Sequence, residues 1–261
     1  MQVLNRTNQS KHKEPHFPSL GKLLRIISKR HGIFYITNDG SAVLGIRFDE
    51  SGAPVRRVVR RSNYRQSYQL FSKKTQKTMS CESLIEYKGC YILETAPEVK
   101  SYQMQPAVIS YVLEGVRHRH VPDALVEFVN GTSCFVEFKP ESGLDDEELI
   151  TRTELLRSNL PTHGYGYLVV SDDQVSGNPL LNAKLLFHLQ KSKIPEITLL
   201  HIQAVLNGKK RTTISEILTV FDDELLTQKY IYMLMLDGRI GYDNEKLITK
   251  KTEIYWNGVG K

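Results

Sequence analysis

Hydrophobic spacing changes character several times along the chain. After a polar stretch of about twenty residues, expected to be a flexible arm, "LGKLLRIISKRHG" has the spacing of a short amphipathic helix that ends at Gly32. "IFYITN", "SAVLGIRFD" and the segment leading to Tyr68 read as short strands, with turns at Asn38-Asp39-Gly40 and Ser51-Gly52. Further on, Leu84, Ile85, Tyr87, Tyr91 and Ile92 can share one broad helical face, which predicts a helix over 81–94 stopped by Pro97. Three β-rich runs follow, "QPAVISYVLEG", "ALVEFVN" and "CFVEFKP", separated by turns at Gly115 and Asn130-Gly131. Asn-Gly is the preferred two-residue hairpin turn, so the last two runs are expected to pair antiparallel. A helix over "LDDEELITRTELLRSNLP" and an aliphatic strand "YGYLVVSDD" complete the region. The order helix, three strands, helix, strand predicts an α/β fold with a mixed sheet.

Beyond residue 178 the spacing becomes helical. "NPLLNAKLLFHLQKSK" reads as one helix, and "TLLHIQAVLNGKK", "TISEILTVF" and "DELLTQKYIYMLMLDGRI" as three more. Short β-prone pieces, "IGYD" and "LITKKTEIYW", come last. Three helices with a two-stranded ribbon form the winged-helix pattern, in which Met233 and Met235 are expected in the core. The expected division is an N-terminal arm and small partly β module over 1–53, an α/β domain with a basic entry segment over 54–178, and a C-terminal winged-helix-like domain over 179–261.

Composition narrows the class. The 261 residues are 40% hydrophobic and 25% charged, values typical of a globular chain. No run of apolar residues is long enough for a membrane helix, and the polar start lacks a signal-peptide centre, so the expectation is cytoplasmic. Cys81, Cys90 and Cys134 have no C-x-x-C spacing and are expected to be reduced core residues. The net charge of +6 matters where it is concentrated: residues 54–77 hold eight Lys/Arg and no acid. That segment is either a solvated linker or a surface for a polyanion.

Within "VPDALVEFVNGTSCFVEFKP", residues 121 to 140, the chemistry stands out. Residues two apart on a strand share a face, so Glu137 and Lys139 project together. The Asn-Gly hairpin returns Glu137 to the start of the partner strand, where Asp123 sits. Two carboxylates so placed repel unless a cation intervenes, and a hard divalent ion such as Mg²⁺ with oxygen ligands meets that need. Lys139 adds a positive charge that can stabilise a reacting phosphate. Metal-assisted phosphodiester hydrolysis is the implied reaction. Read alone, the same pair is also an ordinary exposed ion pair worth at most about 1 kcal/mol.

"SLIE" at 83–86, Gln105-Pro106 nineteen residues after Glu86, "VPDALVEF" and "FVEFKP", with "SKK" at 72–74 upstream, together resemble the TnsA family of transposon endonucleases within the PD-(D/E)xK restriction endonuclease-like superfamily. The resemblance is carried by residues 72 to 140. It implies a restriction endonuclease-like mixed sheet flanked by helices, followed by a winged-helix-like domain. The catalytic and metal-binding set implied is Glu86 on the helix, Asp123, Glu137 and Lys139, with the Phe138 backbone carbonyl a further metal contact. Mg²⁺ is the implied cofactor, and Mn²⁺ can substitute. Glu82 competes with Glu86 as the helix acid. Glu86 could instead close a capping box with Ser83, a reading opposed by the helical run expected upstream. His120 stands where the family has an aromatic residue, which leaves a DNA contact open there.

The implied activity is cutting of the 5′ ends of a mobile DNA element, with a DDE-type transposase partner acting on the 3′ ends and an AAA+ ATPase regulator contacting the C-terminal domain. Arg56, Arg57, Arg60, Arg61, Arg65, Lys73 and Lys74 would hold DNA phosphates. A stand-alone restriction or repair endonuclease and a non-cutting DNA-binding scaffold are the alternatives. RecB-type relatives fit less well: no Q-x-x-x-Y helix follows Lys139, and some of those enzymes need four cysteines.

Overall fold

Residues 124–139 alternate so that both faces of a hairpin are apolar, and a strand buried on both faces needs a layer on each side. The computed structural model, which describes residues 20–22, 41–50, 53–55, 67–189 and 193–258, supplies both layers. The central sheet has four strands in the order β4 (Val99–Met104), β7 (Ala124–Phe128), β8 (Ser133–Lys139) and β9 (Tyr165–Ser171). The first two junctions are antiparallel and β8/β9 is parallel. Gly131, at φ 86°, makes the turn between β7 and β8, and its N–H donates to Phe128 O at 3.0 Å. Helix α2 (Glu147–Asn159), capped by Asp146, lies in the crossover that a parallel pair requires.

One sheet face carries Val126, Phe128, Cys134, Val136 and Phe138. It packs on α1 (Leu84–Thr95) through Ile92 and Leu93, and on α3 (Gly177–Phe187) through Leu180 and Ala183. Phe135 and Tyr167 on the other face meet Leu155, Leu156 and Leu160 from α2 and its continuation. Val43, Ile109 and Tyr111 complete that layer. They belong to a separate antiparallel sheet in the order β1 (Ala42–Phe48), β5 (Ala107–Leu113) and β6 (Val116–His120). The mixed α/β class is as expected.

Two details differ from the reading of the sequence. "QPAVISYVLEG" does not enter the central sheet; "VKSYQM" is that sheet's first strand in its place. The chain turns out of the sheet at Gln105, whose φ of 48° is left-handed and which precedes Pro106. Gln105 N–H donates to Asp123 O at 2.8 Å, and its carbonyl accepts from Val55 N–H at 3.0 Å. The helix expected at 81–94 begins instead at Leu84, because Ser83 caps it and Lys77–Cys81 is a strand, β3, paired with β2 (Tyr68–Ser72).

Gly89 allows α1 to lie against β8. A Cβ there would collide with the Phe138 ring. Gly89→Ala is therefore expected to lower the midpoint of denaturant unfolding. Overpacking of about 1–3 kcal/mol outweighs the gain of about 1 kcal/mol in helix propensity. An unchanged or raised midpoint would show that the ring can give way.

The C-terminal part is built from α4 (Glu196–Gly208), β10 (Thr212–Thr213), α5 (Ile214–Leu218), α6 (Glu224–Leu236), β11 (Ile240–Tyr242) and β12 (Glu253–Trp256). The strands form one antiparallel sheet in the order β10-β12-β11. Ile202, Leu206, Ile217, Ile231, Met233, Met235 and Ile254 are in its core. Helix α3, which contains the expected boundary at 178/179, contributes Leu186 to this second core. Asn182, fully buried, fastens it further: its Nδ2 donates to Asn244 O and Lys246 O, and its Oδ1 accepts from Ile248 N–H at 2.8 Å. Cys81, Cys90 and Cys134 are buried free thiols. Among the described residues no helix is long and apolar enough to cross a membrane.

Candidate active site

The hairpin register determines where the acids meet. Ala124 lies opposite Val136, so Asp123, one residue before, is beside Glu137, one residue after. Phe138 N–H donates to Asp123 Oδ2 at 2.7 Å. Lys139 shares a face with Glu137, and its Nζ is 2.8 Å from Glu137 Oε1. Asp123, Glu137 and Lys139 are thus brought together at one end of the central sheet.

The two carboxylates sit in opposite electrostatic surroundings. Burial alone would raise the pKa of Glu137, but the hydrogen bonds and charges of His120 and Lys139 outweigh it and lower it to about 2. Asp123 is held well above the usual carboxylate range, first by burial and then by the charges of Glu137 and Glu86. The Phe138 N–H and Lys139 offset this only in part.

Glu86 is 5% exposed and doubly engaged. Its Oε1 accepts from Ser83 Oγ at 2.8 Å and its Oε2 from Glu82 N–H at 2.9 Å, while Ser83 Oγ accepts from Glu86 N–H at 3.2 Å. Ser83 is thus the cap that the expected upstream helix argued against, in a variant of the capping box where Glu86 reaches the N–H of Glu82; the upstream segment is a strand, and that argument fails. Glu82 precedes the cap and so does not share a helical face with Glu86. Glu86 still adds its charge to the field that opposes ionisation of Asp123.

Three residues near Glu137 were not anticipated there. His120 Nε2 lies 2.7 Å from Glu137 Oε2, Tyr167 Oη donates to the same oxygen at 3.3 Å, and Arg152 Nη2 is 3.5 Å from Oε1. They come from β6, β9 and α2, and no sequence spacing announces their convergence. His120 is thus spent on the site itself, where a DNA contact had been left open. His118 stacks on Tyr111, with ring centroids 5.2 Å apart.

Two lysines of the basic segment have backbone partners. Lys73 Nζ donates to the carbonyls of Phe187 at 2.6 Å and Leu189 at 2.9 Å, and Lys74 Nζ to those of Ala96 and Val99. Glu94, buried, collects Ser72 Oγ, Lys73 N–H, Lys74 N–H and Tyr102 Oη. "SKK" is therefore a pinned turn whose ammonium groups donate to backbone carbonyls, with Lys73 remaining exposed. Arg56, Arg57, Arg60, Arg61 and Arg65 lie outside the described residues.

The donor set suits a hard cation. Asp123 Oδ1 has no hydrogen-bond partner among the described residues, and the buried Gln105 Oε1 at the same strand junction also lacks a donor. Glu86, Asp123 and Glu137 are not gathered to chelating distance. Among the described residues the one trio of ligand atoms within 4.8 Å of each other is Glu141, Asp172 and Asp173. Glu141 and Asp173 of that trio are exposed.

Residues 96–172 match a family model described as TnsA-like endonuclease N terminal. No curated protein matches the chain. The matched span contains Asp123, Glu137 and Lys139 and excludes Glu86. With those three residues converging inside it, the span 96–172 is similar to the N-terminal domain of TnsA-like endonucleases.

Proposed function

We propose that this protein is a Mg²⁺-dependent DNA endonuclease subunit of a heteromeric transposase, hydrolysing phosphodiester bonds at the 5′ ends of a transposon. The observation that carries the reading is the convergence of Asp123, Glu137 and Lys139 on a TnsA-like domain. Asp123, Glu137 and the Phe138 carbonyl would hold the cation, with Glu86 contributing from the helix. Bound there, Mg²⁺ would supply Lewis-acid stabilisation of the phosphate. Lys139 presents a fixed ammonium beside Glu137, where it can stabilise charge that builds on the reacting phosphate.

The partners follow from the resemblance: double-stranded DNA at transposon ends, a DDE-type transposase for the 3′ ends, and an AAA+ ATPase regulator. The regulator would dock on the C-terminal part, read as a winged helix from its order of helix, strand, two helices and two strands. Arg56, Arg57, Arg60, Arg61 and Arg65 would hold phosphates, with affinity falling as salt rises. The chain would work in the bacterial cytoplasm.

The test is nicking of transposon-end DNA by the chain with its transposase partner, in Mg²⁺ and in EDTA. Asp123→Ala and Lys139→Ala are each expected to slow 5′-strand cutting by at least about 100-fold. Wild-type rates in both variants would remove the site assignment. Robust cutting of arbitrary plasmid by the pure chain would favour a stand-alone restriction-type enzyme.

A further inference from the structure

Glu137 is gripped differently at its two oxygens. Oε1 faces Lys139 Nζ at 2.8 Å and Arg152 at 3.5 Å, both cations with several donors and long stems. Oε2 faces His120 Nε2 at 2.7 Å and Tyr167 Oη at 3.3 Å, both rigid rings. An ionised carboxylate only accepts, so the proton of the His120 contact is on Nε2. Tyr167 Oη also lies 3.2 Å from that nitrogen, which closes a triangle of His120, Tyr167 and Glu137. The rings meet edge to face at 66°, and the His120 side chain is only 11% exposed. β6, β8 and β9 each contribute one corner, so the triangle belongs to the tertiary fold.

A carboxylate that ligates a metal binds well only if other groups fix its orientation, and loss of such a group typically weakens metal binding about 10–100-fold. Taking the site as the divalent-cation centre proposed above, we infer that His120, backed by Tyr167, is its positioning residue. It immobilises Oε2 and so presents Oε1, on the Lys139 side, as the oxygen that a cation takes. Arg152 and Lys139 cannot do this, because they compete for Oε1 itself.

The test uses the full chain and Mn²⁺ alone, with binding read from loss of the free-ion electron paramagnetic resonance signal and folding from thermal melts. Wild type is expected to bind Mn²⁺, and Asp123→Ala to lose it. His120→Phe, which keeps a ring and removes the donor, should weaken binding about 10–100-fold. His120→Gln, which restores a donor, should recover most of that loss. If His120→Phe does not fold, Tyr167→Phe removes the second donor to Oε2 and should weaken binding to a smaller extent. Unchanged affinity in His120→Phe, or an equal loss in the Phe and Gln variants, overturns the positioning role while leaving the metal centre intact. Mn²⁺ binding that is absent in wild type, or indifferent to Asp123→Ala, overturns the metal centre and this inference together.

Discussion

Asp123→Asn is expected to abolish DNA cleavage and, in the metal-free chain at neutral pH, to raise the melting temperature. Asp123 is buried, and its charge is opposed by those of Glu137 and Glu86. The folded state therefore holds the Asp123 proton more tightly than the unfolded chain, whose carboxyl titrates near 3.8. Between that value and the raised one, folding takes up a proton, so the stability this group contributes is present at low pH and is lost as pH rises. Asparagine has no proton to lose, and its Oδ1 can still accept from Phe138 N–H. The gain should be roughly 2–4 °C for each kcal/mol of repulsion relieved. It should vanish as pH falls below about 4, where the carboxyl of the unfolded chain is protonated as well. Melts of both proteins in EDTA at pH 7 and pH 4 make the comparison, and equal melting temperatures at pH 7 would show that no repulsion is stored there.

Glu137→Gln is expected to have the opposite sign on stability although the two residues adjoin across the same hairpin. Glu137 is 2% exposed and satisfies His120, Lys139 and Arg152 at once. Removing its charge takes the buried anion from Arg152, whose other carboxylate is the exposed Glu148 at 3.9 Å, and from the partly exposed Lys139, a change that costs up to about 3–5 kcal/mol. Its pKa, lowered to about 2, also predicts an acid transition. The stabilisation is complete above the unfolded value near 4.5 and is lost as pH falls towards 2. The variant should unfold at markedly lower denaturant at pH 7 and show less acid sensitivity in that window. A variant as stable as wild type would mean that the cations can reach solvent. Both substitutions are expected to end cutting, so melting separates the two roles where activity cannot.

Local signals carried the helices, the hairpin strands and the strand at Tyr165–Ser171. A two-residue Asn130-Gly131 turn would set Asp123 opposite Phe138; the loop instead takes in Val129 as well, with Gly131 left-handed, and that register brings Asp123 to Glu137. Lys139 follows from strand parity. The failures come where the deciding partner is distant in sequence. "VKSYQM" is a half-buried alternating strand whose place in the sheet depends on the backbone turn at Gln105. Arg152 and Tyr167 reach Glu137 only because β9 runs parallel to β8, pairing Tyr167 with Phe135. Lysines advertise charge but not acceptors, so nothing in "SKK" told that its ammonium groups would end on carbonyls of α3 and of the turn after α1. Ser83 was legible as a cap, and a wrong helix start set it aside.

Asn182 gives helix α3 a consequence for cooperativity. The helix has Leu180 and Ala183 in one core and Leu186 in the other, while Asn182 is laced to the 244–248 loop. Opening the C-terminal core strands a fully buried carboxamide and strips one side of the helix on which α1, the carrier of Glu86, rests. The two cores are coupled like two arches springing from one pier: neither can be dismantled without unloading the support of the other.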